Sequence, residues 1–217
     1  MLIGALILGL FATVGTSMVA LTYDGTAERI AENERQALLR SLHQIISPDS
    51  HSNDIYTDII EVQDPLLGTD EPVTVYRARM DEEPVAVVIA SIAPDGYGGA
   101  IKLLVGINYD GTVAGVRVIS HKETPGLGDA IEAERSDWIL GFNGRSLGDP
   151  EEKRWAVKKD GGVFDQFTGA TITPRAVVQA VANTLRYYRE HHEELFAAAK
   201  DRMKEEAEEI AGENDDG

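Results

Sequence analysis

The apolar pattern divides the chain into one long uncharged run and a set of short alternating or helical segments. From Met1 to Tyr23 no side chain is charged, and Asp24 is the first that is. At about 1.5 Å per residue, roughly 22 helical residues span the ~30 Å hydrocarbon core of a bilayer. Residues 1–23 therefore read as an uncleaved transmembrane anchor. The alternative is a cleaved signal peptide, which would have a shorter apolar region, a basic start and small residues at a cleavage site. Residues 24–52 read as a helical spacer. Ala31, Leu38, Leu42 and Ile45 share one side of a helix over 26–46, and a polar break follows at Ser47–Ser52 around Pro48.

Beyond the break the pattern changes to period two. Val73–Met80 and Val85–Ile92 read as strands, and Pro94–Gly99 as a mobile loop between them and the next pair. Ile101–Tyr109 and Thr112–Ile119 flank Asp110-Gly111, a strong hairpin signal. A helix is expected over Asp129–Ile139, then a glycine-rich connection to Pro150 and a second hairpin turning at Asp160-Gly161-Gly162. The last periodic stripe is Val177, Val178, Val181, Leu185 and Tyr188, a helix with Thr173 as its expected N-cap and Pro174 at its first position. Strands in hairpins with helices between and after them give an α+β fold, one domain over 53–200, with an acidic tail over 201–217. No internal repeat is present.

Charge narrows the function. The formal net charge of −17 argues against nucleic acid and against flat contact with anionic lipid. It suits a domain held off a membrane or docked on a basic partner. The chain has no cysteine, which excludes a lipoprotein anchor. His191 and His192 are adjacent on a helix, point in different directions and have no third partner at ligand spacing, so no metal site is expected. Ser146, Asp149 and His121 form no nucleophile arrangement, and neither a Rossmann nor a Walker glycine spacing occurs. No catalytic residue is assigned.

Two segments carry candidate chemistry. Asp165-Gln166-Phe167-Thr168-Gly169-Ala170-Thr171 precedes Ile172-Thr173-Pro174 at a helix start. An anion at the Thr171 hydroxyl would lie near orphan backbone N–H groups and the positive end of the helix dipole. The same turn is also accounted for by threonines that only cap it. The second segment, Ser120-His121-Lys122-Glu123-Thr124-Pro125-Gly126-Leu127-Gly128-Asp129, leaves a strand tip and lets backbone amides approach a planar ring closely. The alternative reading of this segment is a rigid surface turn between strand and helix.

The first segment resembles the D-x-x-[ST]-G-A-T signature at which a flavin transferase couples FMN to threonine through a phosphoester. The second resembles the conserved loop of the same family, the G subunit of the Rnf-type ion-translocating electron transport complex. That family is related to the C subunit of the sodium-pumping quinone reductase. The resemblance covers nearly the whole chain. It implies FMN bound covalently through its phosphate to Thr171, installed from FAD by a separate transferase with magnesium. It implies cofactor contacts from Thr168, Gly169 and Ala170 and from Glu123, Thr124, Pro125, Gly126, Leu127 and Gly128, with Asp165 available for transferase recognition. It further implies partnership with other subunits of the membrane complex, relay of electrons between ferredoxin and NAD coupled to ion transport, and a single-pass protein of the bacterial inner membrane with its domain in the periplasm. Two other functions fit the residues: a free-standing flavin reductase with the same attachment, and a binding module that never carries flavin.

Overall fold

The computed structural model describes residues 2–197. Helix α1 spans Leu2–Ile45, and the chain divides into two compact units at Ser41/Leu42. In the first unit Ile3, Leu6, Leu8, Phe11, Met18 and Val19 are all exposed. Counted over the described residues, no helix is long and apolar enough to cross a membrane. The acidic tail expected over 201–217 lies outside the described residues.

The second unit is built on one antiparallel sheet in sequential order: β1 Ile59–Val62, β2 Val73–Met80, β3 Glu83–Ala93, β4 Ile101–Asn108 and β5 Val113–Ser120. The α+β class read from the sequence holds, as do the four strands expected from alternation. The β4–β5 connection is longer than a two-residue turn. It runs Tyr109–Thr112, closed by Asn108 N donating to Thr112 O at 2.8 Å, with Asp110 Oδ1 accepting from the Thr112 amide and hydroxyl.

Alternation sends the two sets of side chains in the central strands to different cores. Val87, Ile89, Leu103, Val105 and Ile107 join the main cluster with helix α2, Ile172–Phe196, whose Val177, Val178, Val181, Leu185 and Tyr188 are all buried. A hydrogen bond of 2.9 Å from Thr184 Oγ1 to Ser91 Oγ crosses that interface. The opposite face meets the last turn of α1. Val88, Gly106 and Gly115 pair across β3, β4 and β5, and a Cβ on Gly106 would stand 2.1 Å from Ile45 Cγ2. Leu42, Ile45 and Ile46 are buried there, so the compact unit begins inside the helix.

The C-terminus of α2 is held by a buried polar cluster that has no local sequence signal. Arg77 Nη1 donates to Ala197 O at 3.0 Å and Arg79 Nη2 to Phe196 O at 2.9 Å, satisfying carbonyls that a helix end leaves open. Asp58 accepts from both guanidinium groups, Arg77 Nε at 2.6 Å and Arg79 Nε at 3.2 Å. The cations also complement the negative end of the helix dipole.

Two expected elements do not form. Asp129–Ile139 is not a helix but two 3₁₀ turns, Asp129–Ile131 and Asp137–Phe142. The side chains that would have lain on a helix surface are used locally. Asp129 Oδ1 accepts from Gly126 N, and Ser136 Oγ donates to Ala130 O while accepting from Trp138 N. The segment around Asp160-Gly161-Gly162 is not a hairpin either. A 3₁₀ turn at Lys158–Asp160 leads into a single parallel bridge between Val157 and Phe164. Phe142, Trp155 and Phe164 pack there as an aromatic cluster, with Phe142 and Phe164 stacked at 4.5 Å, and this packing carries the chain to the Asp165–Thr171 segment.

The contact between Ile45 and Gly106 gives a direct test. Gly106→Val is expected to destabilise the fold by about 1–3 kcal/mol, because the helix turn must shift to admit the side chain. A lowered urea midpoint at constant slope would register it, and an unchanged midpoint would show that the helix turn does not press on the sheet.

Candidate functional site

The site forms where three loops converge on the start of α2. β5 ends at Ser120, and His121 turns the chain outward. Its Nδ1 accepts from Glu123 N at 3.0 Å, which leaves the ring proton on Nε2, 2.8 Å from Glu132 Oε1. Leu127 N and Gly128 N both donate to Thr124 O, at 3.1 and 3.0 Å, so Thr124–Gly128 is a closed turn. The second loop is Phe167–Ala170, closed by Ala170 N donating to Phe167 O at 3.2 Å. Gly169 has φ +82° there, a left-handed conformation that costs glycine little. The third is Pro94–Gly99, read from the sequence as mobile and here drawn against the Glu123 loop.

Glu123 joins the first and third loops to the start of α2. It is 5 % exposed, and both its oxygens are engaged. Oε1 accepts from Gly98 N at 2.8 Å, and Oε2 accepts from the Thr173 hydroxyl in the first turn of α2. The glycines beside it are there for space. A Cβ on Gly98 would meet Lys122 O at 1.9 Å, and one on Gly128 would meet Glu123 Cβ at 2.9 Å and Thr173 Oγ1 at 3.0 Å.

This corrects the expected cap. Thr173 is fully buried and bonded to Glu123, while the residue at the cap position is Thr171, with no side-chain cap bond. Pro174 is the third residue of the helix, not the first. The Thr171 hydroxyl is thus not committed to capping. Arg175, also in the first turn, donates to both oxygens of Asp160 at 2.6 and 3.0 Å, and this pairing holds the Asp160 carboxyl below the usual carboxylate range.

Between the loops lies a cavity of about 490 Å³. The 120s loop contributes Glu123, Thr124, Leu127 and Gly128 to its wall, and the second loop and helix start contribute Gly169 through Thr173. Tyr97 from the Pro94–Gly99 loop completes it. Thr168, Pro125 and Gly126 are exposed and stand outside the lining. Asp165 is also outside, its carboxylate paired with Lys158 at 2.6 Å and its carbonyl accepting from Trp138 Nε1 at 2.8 Å. Sequence reasoning misses Tyr97. Its signal is an aromatic residue inside a glycine-rich loop, which is not specific.

The residues present fit FMN. The volume is in the range of small-molecule sites. Tyr97, Leu127 and Ile172 are 69 %, 45 % and 46 % exposed, an apolar wall suited to a flat aromatic ring. Thr171 faces the same space at a helix N-terminus, where a phosphate is favoured. His191 stacks on Tyr187 at 4.4 Å and its Nδ1 lies 3.0 Å from Tyr187 O. Among the described residues no group of histidines and carboxylates is arranged to hold a metal ion. A second hollow of about 300 Å³ beside Tyr109, Leu185 and Tyr188 lies near the other end of α2.

Residues 96–186 match the family described as FMN-binding domain, and residues 1–45 match the RnfG N-terminal region. The chain is 52 % identical over 198 residues to the G subunit of the ion-translocating oxidoreductase complex of Pseudomonas aeruginosa, covering 91 % of this chain and 92 % of the relative. It is 52 % identical over 193 residues to the G subunit of the same complex in Shewanella loihica, covering 88 % and 91 %. The Vibrio cholerae counterpart is 52 % identical over 190 residues, again covering 88 % and 91 %.

The two threonines are expected to separate cleanly in stability. Thr173→Val removes the hydroxyl that Glu123 accepts from, at a cost of about 1–3 kcal/mol. Thr171→Ala breaks no side-chain bond and should leave the thermal midpoint unchanged. Thermal melts of both variants check this, and the reverse order would restore Thr171 as a structural cap.

Proposed function

The chain belongs to the family of ion-translocating oxidoreductase complex G subunits, and on that premise we propose that it relays electrons through FMN attached at Thr171. The observation that carries this is the meeting of both loops around one cavity, with the Thr171 hydroxyl uncommitted on its wall. The redox chemistry belongs to the flavin; the protein supplies position and surroundings.

Attachment fits what surrounds Thr171. Its hydroxyl oxygen would bond to the flavin-side phosphorus of FAD as the pyrophosphate bond breaks, with AMP leaving and the hydroxyl proton released. A threonine hydroxyl needs a base or metal to react. None of the residues that line the cavity beside Thr171 is a histidine or lysine, and Glu123 has both oxygens occupied. A separate transferase supplying that activation is the natural source. Once attached, the phosphate becomes a diester at the start of α2, where backbone N–H groups favour it. The ring would lie along Leu127 and Tyr97, with Thr124, Gly128, Gly169 and Ala170 leaving it room. Thr168, Pro125 and Gly126 shape the two turns, and the exposed Asp165 is open to the transferase.

The partners are the other subunits of the complex. The apolar α1 segment supports a single-pass anchor over residues 1–23, since exposed side chains such as Leu6, Leu8, Leu10 and Phe11 are at home in lipid, not water. The spacer expected over 24–52, whose last part from Leu42 already belongs to the compact unit, would then lead into the domain expected over 53–200 on the periplasmic side, ahead of the acidic tail over 201–217. Asp24, Glu28, Glu32 and Glu34 outnumber Arg29 and Arg35 just after the anchor, in keeping with export.

The intact mass of the protein produced with and without a flavin transferase tests the attachment. The expected gain is one FMN less water, only with the transferase and lost in Thr171→Ala. A folded chain with no gain beside an active transferase would instead indicate a binding module without covalent flavin.

A further inference from the structure

Every wall of the cavity is uncharged except one. Of the residues that line it, Glu123 alone carries a formal charge; the others are Tyr97, Leu127, Ile172, threonines, glycines and Ala170. No lysine, arginine or histidine is among them. The basic residues nearby in sequence are occupied or turned away: Arg175 is bound to Asp160, the neutral His121 ring donates to Glu132, and Lys122 is exposed outside the lining. Glu123 accepts hydrogen bonds at both oxygens, from Gly98 N and from the Thr173 hydroxyl, which is the arrangement of an anion. The positive end of α2 offsets only about half an elementary charge. The cavity lining therefore carries one buried carboxylate and no cationic side chain, and that carboxylate is offset only by two hydrogen bonds and the helix end.

We propose that Glu123 sets the reduction potential of the flavin held in this cavity, keeping it low. The inference rests on the flavin reading above and adds to it a role that spatial positioning does not require. Full reduction of the ring adds two electrons. With one proton taken up it becomes an anion, and with two it stays neutral. A carboxylate in the cavity wall repels the added charge and disfavours the anionic product relative to the oxidised ring. The cost acts at short range through a partly buried medium, where Coulomb interactions are several times stronger than in water. A low potential is what a relay needs when it takes electrons from a strong reductant and keeps them available to a weaker acceptor.

Glu123→Gln separates the charge from the scaffold. The amide is isosteric, its oxygen still accepts from Gly98 N, and its NH₂ can donate to Thr173 Oγ1. The full chain is loaded with FAD and transferase, loading is confirmed by intact mass, and the bound flavin is titrated spectroelectrochemically with dithionite as electron source. Glu123→Gln is expected to raise the equilibrium constant for reduction about tenfold, a positive shift of about 30 mV for a two-electron couple. Glu123→Asp, which keeps the charge, should stay near the wild-type potential. Equal potentials in loaded wild type and Glu123→Gln would overturn the inference. Should Glu123→Gln fail to fold or load, Thr124→Lys on the exposed rim places a cation beside the intact carboxylate. The potential should again rise, and no change there would equally overturn it. A wild-type chain that never gains flavin mass removes the premise, whereas a loaded pair with equal potentials removes this inference alone.

Discussion

A buried carboxylate organises the functional end of this protein. Glu123 must find hydrogen-bond donors, because an ionic group taken out of water without partners costs several kcal/mol. It finds one in the Gly98 amide and one in the Thr173 hydroxyl, each on a different segment. Satisfying it fixes where the Pro94–Gly99 loop, the β5 exit and the start of α2 lie relative to each other. The glycines around it follow from that requirement, since Gly98 and Gly128 sit where a Cβ would strike backbone or the carboxylate itself. The cavity is the space these constraints leave open.

The rest of the domain holds the two ends of α2 in place. Its apolar stripe lies on the Val87, Ile89, Leu103 and Val105 face of the sheet. Its C-terminal carbonyls are taken by Arg77 and Arg79, themselves held by Asp58, and its first turn is tied to Asp160 through Arg175. Thr171 at this helix start is therefore borne by a well-anchored element, with loops packed around it. Under the proposed attachment, such a scaffold would hold a tethered ring against the cavity wall while leaving its edge open. The aromatic packing of Phe142, Trp155 and Phe164 supports the approach to the same turn.

Elements with strong local periodicity or turn chemistry are already settled by the order of the amino acids. The strands β2 to β5, the helix after Thr171 and the two glycine-bearing loops are all legible, because alternation, helical stripes and Asp-Gly turns act over a few residues. The Asp129–Ile139 segment defeats that reading because Asp129 and Ser136 hydrogen-bond to the loop's own backbone, an alternative that periodicity does not register. Thr173 is mistaken for the cap because the local rule sees threonine before proline and does not see a carboxylate 50 residues earlier in the chain. It takes the packed fold to bring the two motifs to one cavity, to add Tyr97 to them, and to make Glu123 its sole charge. Those facts depend on strand register and on how α2 lies across the sheet, and both are set by burial summed over the whole core, which no short stretch of sequence contains.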